Sequence, residues 1–247
     1  VLTLAGALAL IAWLAGQFSP RQPATVALDI GISFIRLVLP VLALLQIQDL
    51  VAREIERRLI LTSLSSPSTR SEFLLGRYAA ALCVSFVSLV LFSLVLAAVV
   101  AWTGSIYPQS TPVALGLPYL INNLLIWLDV AVVGAFGLVL AAIATTPNFV
   151  LLGGLGFMVI SRSASTIVHL LEVERELVRG ADFYQQGLQW VQWLIPDLAA
   201  LDVRPIALYG KMELLTASPW ALVVMPLGYV VVLLVFASLR FEKRQFA

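Results

Sequence analysis

The run DLVAREIERRLILTSLSSPSTRSEFLLGRY, Asp49–Tyr78, carries five of the chain's fifteen Lys and Arg residues and stands between two long apolar stretches. Leu28–Gln48 before it and Arg77–Trp102 after it are each long enough to cross a bilayer as a helix, which takes roughly 20 residues. A charged insert between two such runs sets the frame for the rest of the chain. The runs cross a membrane, and the insert stays on one side of it.

Composition supports that frame. The 247 residues are 61% hydrophobic and 12% charged, with a mean hydropathy of +0.99, far from the balance of a soluble domain. The short alternating segments of a membrane barrel are missing from the pattern, so the expected class is an all-α integral membrane protein. A net charge of +1 with no concentrated basic surface gives no reason to expect a nucleic-acid partner. Cys83 stands alone in an apolar run, so it makes no intrachain disulfide and reads as packing. The sequence opens at Val1 already inside an apolar stretch, which implies preceding residues.

Six apolar runs read as transmembrane helices: Val1–Gln17, Leu28–Gln48, Arg77–Trp102, Tyr119–Ala144, Phe149–Leu171 and Trp220–Leu239. Phe18–Ala27 reads as a turn, and Pro40 is expected to kink the second helix by removing a backbone donor. The uncharged loop Thr103–Pro118 is flanked by Trp102, Tyr107 and Tyr119, which suit an interfacial belt. Gly153, Gly154 and Gly156 give the fifth run a smooth surface for close helix packing. The chain is expected to be one transmembrane domain, 1–247, with a polar segment at 172–219 whose Tyr184, Trp190 and Trp193 suit a helix lying at the interface.

Lys and Arg collect in the 49–78 insert and in the tail, at Arg240, Lys243 and Arg244. An even number of spans puts both on one side, which the positive-inside rule makes cytoplasmic. Both termini are then cytoplasmic, and 172–219 is extracytoplasmic.

Familiar catalytic patterns are absent from the sequence. No phosphate-binding loop occurs; the pair Gly210–Lys211 lacks both the upstream glycine and the following Ser or Thr, so the chain is not expected to hydrolyse ATP. Metal and hydrolase signatures are missing as well, and the lone His169 reads as a packed or interfacial residue. Three ionisable residues fall inside spans: Arg36, Asp129 and Arg162. A charge in hydrocarbon costs at least about 2.5 to 3.5 kcal/mol, so each must find a partner. Their depths are comparable, so Asp129 can pair with Arg36 or Arg162, either as a static lock between helices or as part of a translocation route or gate, and the excess Arg can meet a backbone carbonyl or a lipid headgroup.

Within the insert, Asp49–Thr62 patterns as a helix with Leu50, Ile55, Leu59 and Thr62 on one face and Arg53, Glu56 and Arg57 on another. Ser65, Ser66, Pro67 and Ser68 stop it, and Glu72 sits near the start of the next helix, where a negative charge is favoured. The order of Glu54 and Glu56, Leu61 and Leu64, Pro67 with Arg70, then Gly76 with Arg77 resembles the permease subunits of ABC-2 type exporters, in which a glutamate-rich helix leads through leucines to a Pro-x-x-Arg turn and a Gly-Lys pair. Six spans, the stretch IPDLAALDVRP at Ile195–Pro205 and the basic tail are similar to that family too, so the likeness covers nearly the whole chain. It departs from the pattern at Arg58 and Leu59, where glycine and threonine are common, and at Arg77, where the family has Lys.

The resemblance implies a bacterial inner-membrane exporter subunit, paired with a second permease copy and with two ATPase subunits that bind ATP and Mg. It implies that the insert is a coupling helix, with Glu54, Glu56, Arg57 and Arg58 making polar docking contacts, Leu61 and Leu64 filling a groove, and Pro67 and Arg70 forming the turn. Residue physics alone leaves a plain solvated cytoplasmic loop open. Two rival functions stand beside the exporter: a secondary transporter using Asp129 as its ion site, and a non-transporting membrane scaffold. The extracytoplasmic segment could bind a partner protein, and the substrate is not legible.

Overall fold

The computed structural model describes residues 1–19, 21–56, 69–106, 112–144, 146–173, 195–214 and 218–243. Among them every regular element is helical. The principal helices are α1 (Leu2–Gln17), α2 (Pro23–Glu56), α3 (Arg70–Ile106), α4 (Leu117–Ile143), α5 (Asn148–Val173), the short α6 (Arg204–Tyr209) and α7 (Pro219–Glu242). Four of these, α2, α3, α4 and α7, are long and apolar enough to cross a membrane, while α1 and the Asn148–Ser163 part of α5 are shorter apolar helices.

α4 is the axis of the bundle. It packs against α2, α3, α5, α6 and α7, and 78% of its most apolar window is buried. The outer helices show the opposite balance, with Val87 and Leu94 on α3, Leu152 on α5 and Val232 on α7 all exposed. Such faces are stable in hydrocarbon, where helices need only satisfy their own backbone. Two apolar cores result: one gathers α1 with the first halves of α2 and α4 and the second half of α3, and the other gathers the remaining parts of α2, α3 and α4 with α5 and α7.

Small residues set how closely the helices approach. Leu44 of α2 enters a notch between Gly137 of α4 and Gly154 of α5; a Cβ on either glycine would lie 2.7 or 2.4 Å from its Cδ2. Gly153 faces Leu140 of α4, whereas Gly156 opens to empty space. The glycine run therefore works through two of its three members. Gly31 receives Leu96 in the same manner between α2 and α3.

Helix boundaries differ from the sequence reading in two places. α2 begins at Pro23, five residues before the expected start, because proline is well placed in a first turn where its missing N–H costs nothing. α2 also runs past Gln48 without a break, through a π-helical turn at Gln48–Ala52, so the second span and the first part of the insert form one helix. Pro40 stands inside it without ending it. α3 starts at Arg70, where the Ser68 stop and Glu72 place the next helix, and it is capped reciprocally by Thr69 and Glu72: the Thr69 N–H donates to Glu72 Oε2 at 2.9 Å, and the Glu72 N–H donates to Thr69 Oγ1 at 3.2 Å.

One end of the bundle collects the charged elements. Arg70 donates to the carbonyl of Glu242 at 3.1 Å, Phe73 stacks on Phe241, and Gln48 donates to Asn148 Oδ1 at 3.3 Å. The first turns of α3 and the last turn of α7 therefore share an end of the bundle.

Residues 195–209, part of the segment expected outside the membrane, fold against α2, α4 and α5. Leu198, Ile206 and Ala207 are fully buried, the Leu198 N–H donates to the Ser161 carbonyl at 3.2 Å, and the Ala114 N–H donates to Ala207 at 2.9 Å. The physical cause is an alternation that a hydropathy window averages away, with Leu198, Leu201, Val203 and Ile206 packing while Asp197, Asp202 and Arg204 build turns. Gly210 closes α6 in the left-handed conformation at φ 66°, so the Gly-Lys pair is a helix stop. The interfacial helix expected around Tyr184, Trp190 and Trp193, and the side chain of His169, lie outside the described residues.

Candidate functional site: an intramembrane ion network and a charged helical end

α2, α4 and α5 bring Arg36, Asp129 and Arg162 together. Asp129 is fully buried; its Oδ2 accepts from Arg162 Nη2 at 2.5 Å and lies 3.9 Å from Arg36 Nε. Arg162 Nη2 also donates to the carbonyl of Arg36 at 2.9 Å. The expected pairing is thus three-membered, with the lone carboxylate between two guanidinium groups.

The second arginine is neutralised from the segment between α5 and α7. Arg36 Nη1 lies 2.5 Å from Asp202 Oδ2, and its Nη2 donates to the Leu198 carbonyl at 3.0 Å. Arg204 grips Asp202 in a fork, Nε to Oδ1 at 2.8 Å and Nη2 to Oδ2 at 2.6 Å. Its Nη1 reaches back to α2, to Asp29 Oδ1 at 3.0 Å and Ser33 Oγ at 2.5 Å. Three carboxylates and three guanidinium groups form one network with no net formal charge. Neutrality is what makes it tolerable at this depth, because an uncompensated charge here would carry the full insertion penalty.

Sequence reading missed Asp29, Ser33, Asp202 and Arg204. Asp29, Ser33 and Arg36 follow the i, i+4, i+7 rhythm of one helix face, a signal that was present. The pairing of Asp202 with Arg204, two residues apart in a turn, was not legible, because only the fold-back brings them to α2.

A cavity of about 420 Å³ opens beside the network, lined by Ser33, Arg36, Leu37, Arg162, Asp202 and Arg204. Among the described residues, two buried atoms of the network have no hydrogen-bond partner, Asp129 Oδ1 and Arg162 Nε. At 1.5 Å per residue, Asp29 and Arg36 lie about 9 and about 20 Å along α2 from Pro23, so the cavity occupies the half of the bundle away from the charged end. Among the described residues no cluster could hold a metal ion.

Burial opposes ionisation of Asp202, but the hydrogen bond from Arg204 and the charge of Arg36 outweigh it and hold the carboxyl below the usual range. The hydrogen bond to Asp202 in turn holds Arg204 above its ordinary value. A carboxyl that titrates lower folded than unfolded contributes fully above its unfolded pKa of about 3.9 and loses that contribution as pH falls through the folded value. In thermal unfolding of the purified chain, the gap between the parent and Asp202→Asn is therefore expected to stay constant from about pH 8 to about pH 5 and to close below about pH 4. A gap that widened on acidification would contradict the pairing.

At the charged end, Glu54 is turned toward the bundle and held by Arg77, whose Nη2 lies 2.8 Å from Oε1 and 3.1 Å from Oε2. Arg77 also lies over the ring of Phe73 at 5.1 Å. Arg53 pairs with Asp49 one turn back at 2.7 Å, and Arg53 and Glu56 are exposed while Leu50 and Ile55 pack on the core. The two expected faces of this helix are present as far as Glu56. Arg57, Arg58, Leu61, Leu64 and Pro67 lie outside the described residues.

An all-helical bundle with several membrane-length helices and a buried, charge-balanced network at its centre defines a polytopic membrane protein. The chain belongs to the ABC-2 family transporter protein family, whose family model matches residues 7–246. It matches no curated protein. Family membership makes it a membrane component of transport, and the residues described above are the parts of it that bear charge.

Proposed function

We propose that the chain is the membrane-spanning subunit of an ATP-driven exporter, working with a second permease copy and two separate ATPase subunits that bind ATP and Mg. In this reading α1 to α5 and α7 cross the bacterial inner membrane, the charged end and both termini face the cytoplasm, and the 195–209 segment lies on the extracytoplasmic side. The observation that carries it is the form of the charged end in a chain of this family. α2 continues through a π-helical turn to Glu56, and Glu54 ties that extension to the first turns of α3 through Arg77. A push on the exposed Glu56 side is thereby delivered to two helices at once, which is what an energy-coupling contact needs. Glu56, Arg57, Arg58, Leu61, Leu64, Pro67 and Arg70 supply the docking surface, and Glu54 fixes its angle.

A self-copy fits the cavity side. A cavity walled by three arginines is costly against lipid, and the exposed stripe of α2 beside it, Ile30, Leu37 and Leu45, is apolar. A second copy covering this stripe shields both.

The test is affinity purification of the native complex. An ATP-binding-cassette subunit is expected in stoichiometric amount, with ATP hydrolysis that depends on this chain. Glu54→Arg is expected to lower coupled hydrolysis at least about tenfold, and Glu54→Arg with Arg77→Glu to restore most of it, since the pair is rebuilt in reverse. Purification without any ATPase subunit would remove the proposal.

A further inference from the structure

We infer that the cavity beside the ion network is a binding site for an anionic group, phosphate or carboxylate, carried on an apolar chain, and that this group binds by taking the place of Asp202. The inference rests on the export reading for its purpose but not for its chemistry.

The wall of the cavity is unbalanced although the network is not. Arg36, Arg162 and Arg204 line it, whereas Asp202 alone among the three carboxylates does so. Asp129 is fully enclosed behind Arg36 and Arg162, with no side-chain exposure, and Asp29 stands off toward Arg204. An entering solute therefore meets three guanidinium groups and one carboxylate. Arg162 brings a guanidinium that keeps 22% side-chain exposure to this wall. Guanidinium forks match the oxygens of phosphate and carboxylate, whereas a cation would find only Asp202, already held by two arginines.

Asp202 is the replaceable member. Its side chain keeps a quarter of its exposure, against none for Asp129. It sits on a turn, while Arg36, Asp129 and Arg162 are fixed on packed helices. An anion between Arg36 and Arg204 reproduces its contacts. The apolar chain is argued from position: Leu37, 54% exposed, lines the cavity, and the exposed Ile30 lies about two turns away along the same helix. A volume of about 420 Å³ is in the range of small-ligand sites.

The test uses the purified full chain in neutral-lipid nanodiscs without nucleotide, titrated with dodecyl phosphate, inorganic phosphate and dodecyltrimethylammonium. Saturable binding of dodecyl phosphate is expected, with inorganic phosphate at least about tenfold weaker and no competition from the cationic amphiphile. Arg162→Gln is expected to weaken binding about tenfold or more, and Asp202→Asn to strengthen it by a similar factor, since the internal competitor loses its charge. A gain confined to the anionic amphiphile, with the cationic one still unbound, separates a freed site from exposed apolar surface. Absence of saturable binding, equal binding of the cationic amphiphile, or unchanged affinity in Asp202→Asn would overturn the inference; inorganic phosphate binding as tightly as dodecyl phosphate would overturn the apolar chain. Because no ATPase takes part, these outcomes are independent of the purification test above.

Discussion

Asp129→Ala is expected to destabilise the bundle by about 3 kcal/mol or more and to cost most of the assembled protein. Removing one member of a buried ion network leaves the others uncompensated, and that penalty exceeds the worth of the lost contact. Here it leaves Arg162 with only the Arg36 carbonyl among its contacts, while Arg36 retains Asp202. Asp129→Asn is expected to keep the shape, to lose the charge, and to fall between the two. Unfolding by denaturing detergent at fixed lipid ratio measures the series. Parent-like stability and transport in Asp129→Asn would show that the pairing matters neither to the fold nor to function.

A companion variant separates a lock from a working part. Asp129→Leu combined with Arg162→Met replaces the inner pair by apolar groups of similar size, a change that is often neutral or stabilising for buried ion pairs. Stability is expected to return to within about 1 kcal/mol of the parent, and export to be lost. Retained export would mean that the pair is only a lock between α4 and α5.

Gly154→Val is expected to cost about 1 to 3 kcal/mol through overpacking. Leu44 cannot simply swing aside, because its Cδ2 lies between Gly154 and Gly137 and would meet the second glycine on leaving the first. Leu44 is also fully buried, so no solvent-side rotamer is open to it. Leu44→Ala alone is expected to cost about 2 to 5 kcal/mol by leaving a void. The double variant is expected to be more stable than the sum of the two by at least about 1 kcal/mol, because the new side chain fills that void. Strict additivity in the same detergent titration would show that Leu44 and Gly154 do not share a space.

Much of the scaffold was legible because hydrocarbon is a demanding solvent. Runs such as Arg77–Trp102 and Tyr119–Ala144 have to be helical once they cross a membrane, since only internal hydrogen bonds satisfy their backbone. Arg36, Asp129 and Arg162 were legible for the same reason: an ionisable residue in such a run must find a partner, and few were available. Boundaries were less legible, because α2 and α3 continue beyond the apolar stretch, where capping by Thr69 and Glu72 and the packing of Leu50 and Ile55 decide the end rather than hydropathy.

From the sequence came the all-helical membrane class, the approximate course of the principal helices, and the need of Arg36, Asp129 and Arg162 for partners. Only the tertiary structure decided how those charges are balanced. Asp202 and Arg204 sit in a stretch that reads as an outside loop, and their place beside α2 follows from the burial of Leu198, Leu201 and Ile206 against distant helices. Hydropathy is a local sum, whereas charge compensation across four segments depends on which of them touch.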